Sequence, residues 1–181
     1  MTIAVTYIQA ISEKYPNVFV QCTGDGSVYS DLIWVSGDAI PSQETLDADC
    51  LALVQSKTWK AIQADRDTRK FSGITVSGYW FHTDNSSRIQ YLGLVMMGTS
   101  MPSGIMWKTM TGAFVEMTPT LAMAIFMQVA TQDMATFAVA EAHHANMLAS
   151  ADPGNYDFYS VDTVPPWPVV YTDVYPDAII F

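Results

Sequence analysis

"ADRDTRKFSGITVSGYWFHTDNSSRIQYLGL", Ala64 to Leu94, is the stretch on which the fold turns. It holds Arg66, Arg69, Lys70 and Arg88, four of the chain's eight basic residues. Read in order, it is a helix end, a break, a tight hairpin, a cap and a second helix. Gly73 breaks the first helix. Ile74 to Val76, a Ser77-Gly78 turn and Tyr79 to His82 make the hairpin. Asp84 or Ser86 then caps a helix whose apolar residues are Ile89, Leu92 and Val95.

Upstream, the pattern predicts a long helix over Gln43 to Lys70. Ser42 is its cap, and Leu46, Leu53, Trp59 and Ile62 lie on its apolar side. Its start is acidic (Glu44, Asp47, Asp49) and its end basic (Lys57, Lys60, Arg66, Arg69, Lys70), as the helix macrodipole favours. That polarity accounts for much of the basic cluster without a ligand. Further upstream, residues 4 to 14 read as a short amphipathic helix ended by Pro16. "NVFVQCTGDGSVYSDLIWV" reads as a hairpin, and "SGDAIP" as a connector.

Downstream, "IMWKTM", a Thr111-Gly112 turn and "AFVEM" repeat the hairpin. Thr118 caps a long helix with Pro119 at its first position, running to about Ala149. Hairpin, cap and helix thus occur twice. From Leu121 to Ala130 the long helix is apolar nearly all round, which predicts cover on more than one side. Five prolines from Pro153 to Pro176 predict an extended arm rather than a packed element. The expected fold is α+β. Its segments are a small helix-hairpin module at 1–41, a helix-hairpin-helix-hairpin-helix domain at 42–158 and an extended C-terminal arm at 159–181.

The 181 residues are half hydrophobic, which excludes general disorder. Only 14% are charged, against a usual figure of about 25%, and eleven are methionine. So few charges and so many flexible thioethers predict a surface covered in part by a partner. Net charge is −10, and no Lys or Arg follows Lys108. Nucleic acid is excluded as a direct partner, because phosphates require clustered cations. Cys22 and Cys50 form no metal or CxxC spacing and are expected as free thiols in a reduced compartment. The N-terminus lacks a signal-peptide pattern, and no apolar run reaches membrane-span length.

Catalytic patterns are sparse. His82 beside Asp84 suits acid–base chemistry, but no nucleophile stands in a recognisable context, so a hydrogen-bonded structural histidine is the expectation. Glu141 and His144 share a helix face, but no second pair completes a metal set. The glycines at Gly24 and Gly26 are turn chemistry, since a phosphate loop also needs a lysine before a helix. No enzyme activity, metal or cofactor is expected.

Three segments, "IQADRDTRKFSGITVSGYWFHTDNSSRIQYLGLV", "WKTMTGAFVEMTP" and "AIFMQVATQDMATFAVAEAHHANMLA", together resemble a known family. It is a domain-of-unknown-function family seen in tail-fibre and other tail-region proteins of tailed phages. The resemblance covers about residues 57 to 158. The earlier stretch "YIQAISEKYPNVFVQCTGDGSVYSDLIWV" is more weakly similar to small phage proteins of the XkdW kind. The matching positions are Arg66, Arg69, Lys70, Gly73, Val76, Gly78, Trp80, Phe81, Asp84, Ser87, Arg88, Gln90, Leu92, Trp107, Gly112, Phe114 and Glu116.

Those residues read as framework. Arg66, Arg69, Gly73, Gly78, Trp80, Phe81, Asp84, Arg88, Trp107 and Phe114 are expected to form a structural junction. Within it the aromatics fill space under the hairpins and Arg88 pairs with Asp84 or Glu116. Partner contacts are expected from Met123, Phe126, Met127 and Met134 on the long helix and from Trp167, Tyr171 and Tyr175 on the arm. The resemblance implies a structural component of a phage virion (tail, tail fibre or baseplate), assembled in the host cytoplasm. It would be a homo-oligomer in contact with other tail proteins. An assembly chaperone absent from the particle is the alternative. A third reading is a carbohydrate-binding or hydrolytic module using His82, Asp84 and the tryptophans.

Overall fold

Polar side chains set where the helices begin. The computed structural model describes residues 2–36, 39–160 and 162–177. Thr6 and Gln9 form a reciprocal capping box at the start of α1 (Tyr7–Lys14). Thr6 itself is extended, so α1 starts after it and not at Ala4. The Ser42 hydroxyl accepts from the Thr45 amide at 3.2 Å and opens α2 (Gln43–Lys70) with the bounds the sequence predicts. Asp84, rather than Ser86, caps α3 (Asn85–Met97), its carboxylate accepting from the Ser87 amide at 3.0 Å. Thr118 accepts from the Leu121 amide at 3.1 Å and opens α4 (Pro119–Ala149).

The strands pair as three antiparallel hairpins: β1 (Phe19–Cys22) with β2 (Leu32–Ser36), β3 (Ile74–Val76) with β4 (Tyr79–Phe81), and β5 (Met106–Lys108) with β6 (Phe114–Glu116). Between β3 and β4, Ser77 (φ 51°) and Gly78 (φ 81°) are both left-handed, as a two-residue turn of this kind requires. The β5–β6 link is longer. The Thr109 amide donates to the Ala113 carbonyl at 2.8 Å, and Gly112 supplies the left-handed residue. The hairpin-cap-helix order therefore recurs, as the sequence predicts, and the architecture is α+β.

The contacts sort the chain into two compact units. One is Met1–Ala61 with His144–Asp157, and the other is Ile62–His143 with Phe158–Phe181. In the first unit Ile11, Leu32 and Leu46 form the core, with Tyr7, Tyr29 and Trp34 against it. The Ile3 amide donates to the Gly154 carbonyl at 2.8 Å, and Thr58 donates to the Pro153 carbonyl at 3.1 Å. In the second unit Ile74, Phe81, Tyr91, Val115, Met117, Ala122 and Ile125 are packed together.

The structure revises two expectations. Phe114 is 62% exposed, whereas its neighbour Val115 is buried. Side chains alternate across a strand, so only one of two adjacent residues can lie under the hairpin. The arm also packs. Residues 162–170 are neither helix nor strand, in keeping with their prolines, but Trp167 and Val170 are buried. The Trp167 indole donates to the Phe158 carbonyl at 2.6 Å, and the Tyr171 amide to the Ser72 carbonyl at 2.9 Å. A single helical turn, α5 (Tyr171–Val174), follows. Proline removes backbone donors but leaves aromatic and branched side chains free to bury. Residues 37 and 38 of the connector, and 161 and 178–181 of the arm, lie outside the described residues.

Candidate functional site

The second unit holds Arg66, Arg69 and Arg88 of the opening stretch. α3 carries Arg88 one turn after its cap. The Arg88 guanidinium meets the Asp133 carboxylate in two parallel contacts, Nη1–Oδ2 at 2.6 Å and Nη2–Oδ1 at 3.0 Å. It also donates to the carbonyls of Thr83 (2.6 Å) and Lys70 (2.5 Å). A fork with this geometry suits one planar carboxylate. The partner is therefore Asp133 on α4, and neither Asp84 nor Glu116. Asp84 is occupied in capping, its second oxygen accepting from the Ser87 hydroxyl at 2.6 Å. Glu116 accepts from the Gly104 amide at 3.0 Å.

The other arginines also have partners within the chain. Arg69 is buried and donates to Asp65 and Asp173, each at 3.0 Å, with its guanidinium 5.4 Å from the centre of the Trp167 ring. Burial pushes the Asp65 carboxyl above its usual value, and the Arg69 hydrogen bond opposes this. Arg66 forms a forked pair with Asp67, which holds that carboxyl below its usual value, and lies 4.6 Å from the Phe137 ring centre. Gly73 places its backbone against the Met110 and Tyr171 side chains and donates to the Thr83 hydroxyl at 2.9 Å. Trp80 packs edge-on against Tyr171, and Trp107 against Tyr91. Phe81 is fully buried. Phe114 points outward, and Gly78 stands in open space at the hairpin turn.

His82 is half-buried, and its carbonyl accepts from the Tyr91 hydroxyl at 3.0 Å. Burial works to raise Asp84, but the Ser87 hydroxyl and the Ser87 and Ser86 amides hold it below its usual value. Both Asp84 oxygens serve the start of α3. Among the described residues, no group of three or more His, Cys, Asp or Glu is placed to hold a metal ion. No described helix is long and apolar enough to cross a membrane.

Beside the junction lies an apolar surface. Ile89, Leu92 and Met96 on α3 are exposed, as are Met123, Phe126, Met127 and Met134 on α4, with Met134 at 74%. Arg88, Ile89, Tyr91, Leu92, Phe126 and Val129 line a groove of about 260 Å³ between the two helices. Tyr175 on the arm is exposed too. Trp167 and Tyr171 are not available for partner contact, because the chain's own packing covers them. The sequence reading missed Asp133, Asp173 and Thr83, which complete the junction. It named Ile89 and Leu92 as apolar residues of α3 without assigning them a side. Helical spacing alone does not say which of two apolar faces is covered.

The fold and junction thus define an α+β protein of paired hairpin-cap-helix units tied by internal arginine–carboxylate contacts. The chain belongs to the family described as domain of unknown function DUF4376, which matches residues 54–161, more than half its length. No curated protein and no solved structure matches it.

Proposed function

We propose that this chain is a structural component of a tailed-phage virion, an attachment or adaptor protein of the tail, tail fibre or baseplate. It acts through protein–protein contacts and not through catalysis. The motif resemblance to tail-region proteins supplies the phage setting, and the XkdW-like character of Tyr7 to Val35 belongs to the same reading. The protein would be assembled in the host cytoplasm and retained in the tail.

One observation carries the contact reading: the second unit exposes Ile89, Leu92 and Phe126 around one groove, with Met127 and Met134 also exposed on α4. Exposed apolar residues gathered around a groove mark interaction surfaces. The arginines best suited to hold a charged ligand are instead spent on Asp65, Asp67, Asp133 and Asp173.

Mass spectrometry of purified virions tests the proposal. The chain is expected among the particle proteins at a stoichiometry comparable with other tail components. Its absence from particles, together with its capture on fibre proteins in infected lysates, would replace this reading with the assembly-chaperone one. Loss of host-surface binding or hydrolysis in a folded His82→Ala chain would instead favour the carbohydrate-directed module.

A further inference from the structure

α4 presents apolar residues on two separate faces, and the described residues bury one of them while leaving most of the other exposed. Ala122, Ile125, Thr136, Ala140 and His143 are buried. Met123, Met127, Ala130, Met134, Phe137 and Glu141 are exposed, and their spacing is 4-3-4-3-4. At 100° per residue these six positions fall within about 40° of one line along the helix. Alternating steps of four and three are the pattern of a coiled-coil seam, in which each knob enters a hole on a helix of the same period. Five of the six are apolar.

We propose that this exposed α4 seam is a self-association surface whose occupant is the α4 helix of a second copy of the chain. Three features select that occupant. A seam with a 3.5-residue period is filled best by a helix with the same period, and a second copy supplies one residue for residue. Its span from Met123 to Glu141, about 27 Å, is long enough for several knobs to interlock.

Charge is the second feature. Each copy carries −10, so most of its surface repels another. Between Met117 and Ala140, however, Asp133 is the sole ionisable residue, and it is paired with Arg88. Along the seam from Met123 to Met134, two copies therefore meet without burying an unpaired charge, while Glu141, and Arg66 and Lys70 over the Phe137 ring, stand at its far end.

The third is extent. With Phe126, Ile89 and Leu92 beside it, exposed apolar surface continues from α4 onto α3. Ala130 at its centre allows close approach, and the methionines adapt to whatever hole they meet. The inference rests on the reading of a chain that works by protein contacts, and it names one of those contacts.

Light scattering on the full chain after size exclusion tests it. Wild type is expected at a multiple of its 20.0 kDa mass. The Met127→Glu/Met134→Glu chain is expected at 20.0 kDa with an unchanged circular dichroism spectrum, since both side chains are exposed. Ala130→Cys is expected to form a disulfide-linked dimer under mild oxidation, in excess of any formed by wild type through Cys22 or Cys50.

A wild-type mass of one chain overturns the inference. So does a folded double-glutamate chain that stays associated, or an Ala130→Cys chain that cross-links no more than wild type. A monomeric wild type that is still found in virions removes the seam and leaves the tail-component reading standing. An associated chain that is absent from virions does the reverse.

Discussion

Arg88 and Asp133, 45 positions apart in the sequence, meet in a two-pronged ion pair that ties α3 to α4. Both side chains are largely covered, and the same guanidinium holds the carbonyls of Thr83 and Lys70. Arg88→Ala is expected to destabilise the chain by about 3 kcal/mol, because hydrogen bonds to charged groups contribute about 1.5–3 kcal/mol each and do not add fully. Asp133→Ala should cost less, since the two backbone carbonyls still hold Arg88. A double-mutant cycle read by urea denaturation should give a coupling of at least about 1 kcal/mol. A coupling near zero would make the pair incidental.

Gly73 and Gly78 are both left-handed, at φ 88° and 81°, but their surroundings differ. A Cβ on Gly73 would sit 2.4 Å from the Met110 sulfur and 3.2 Å from Tyr171 Cβ, whereas one on Gly78 meets nothing within 4 Å. Gly78→Ala should therefore cost only the backbone term, about 1–2 kcal/mol. Gly73→Ala should cost more, because Met110 must also move. The ranking of the two urea midpoints checks this.

Trp167 decides whether the arm is part of the fold. Its ring is 4% exposed, its indole donates to Phe158, and Arg69 lies over its face. Trp167→Ala should lower stability by about 3–5 kcal/mol, the usual range for a buried large aromatic. An arm that merely lies on another protein would show almost no change in the isolated chain's melting curve.

Asp49 gives the first unit a dependence on acid. Its carboxylate accepts from the Lys14 ammonium and, at 2.7 Å, from the Tyr15 hydroxyl, and these bonds hold it below its usual 3.8. A carboxyl depressed in the folded state stabilises fully above its unfolded value and loses that contribution as pH falls through its folded value. Wild type should therefore lose stability below about pH 4 more steeply than Asp49→Asn. Equal slopes of urea midpoint against pH would remove Asp49 as the source. Asp65, raised by burial, acts with the opposite sign in the second unit.

Much of the architecture was legible because its signals are local. Ser42, Asp84 and Thr118 each bond an amide three residues on, and Ser77-Gly78 closes a turn between adjacent strands. The pairs Arg66–Asp67 and Arg69–Asp65 are local too, one and four positions apart, but the distant partners Asp133 and Asp173 were not legible. Asp173 lies 104 positions from Arg69, and no spacing rule links residues so far apart.

By itself the sequence determined the order of elements, where each helix starts and how the hairpins turn, because caps, glycines and apolar periods act over a few residues. Only the tertiary structure decided that Arg88 meets Asp133 and Arg69 meets Asp173, that Val115 rather than Phe114 lies inward, and that Trp167 is buried. It also decided which of α4's two apolar faces the chain covers. Those outcomes depend on what comes to lie against each side chain from distant parts of the chain, and the same local pattern fits either answer.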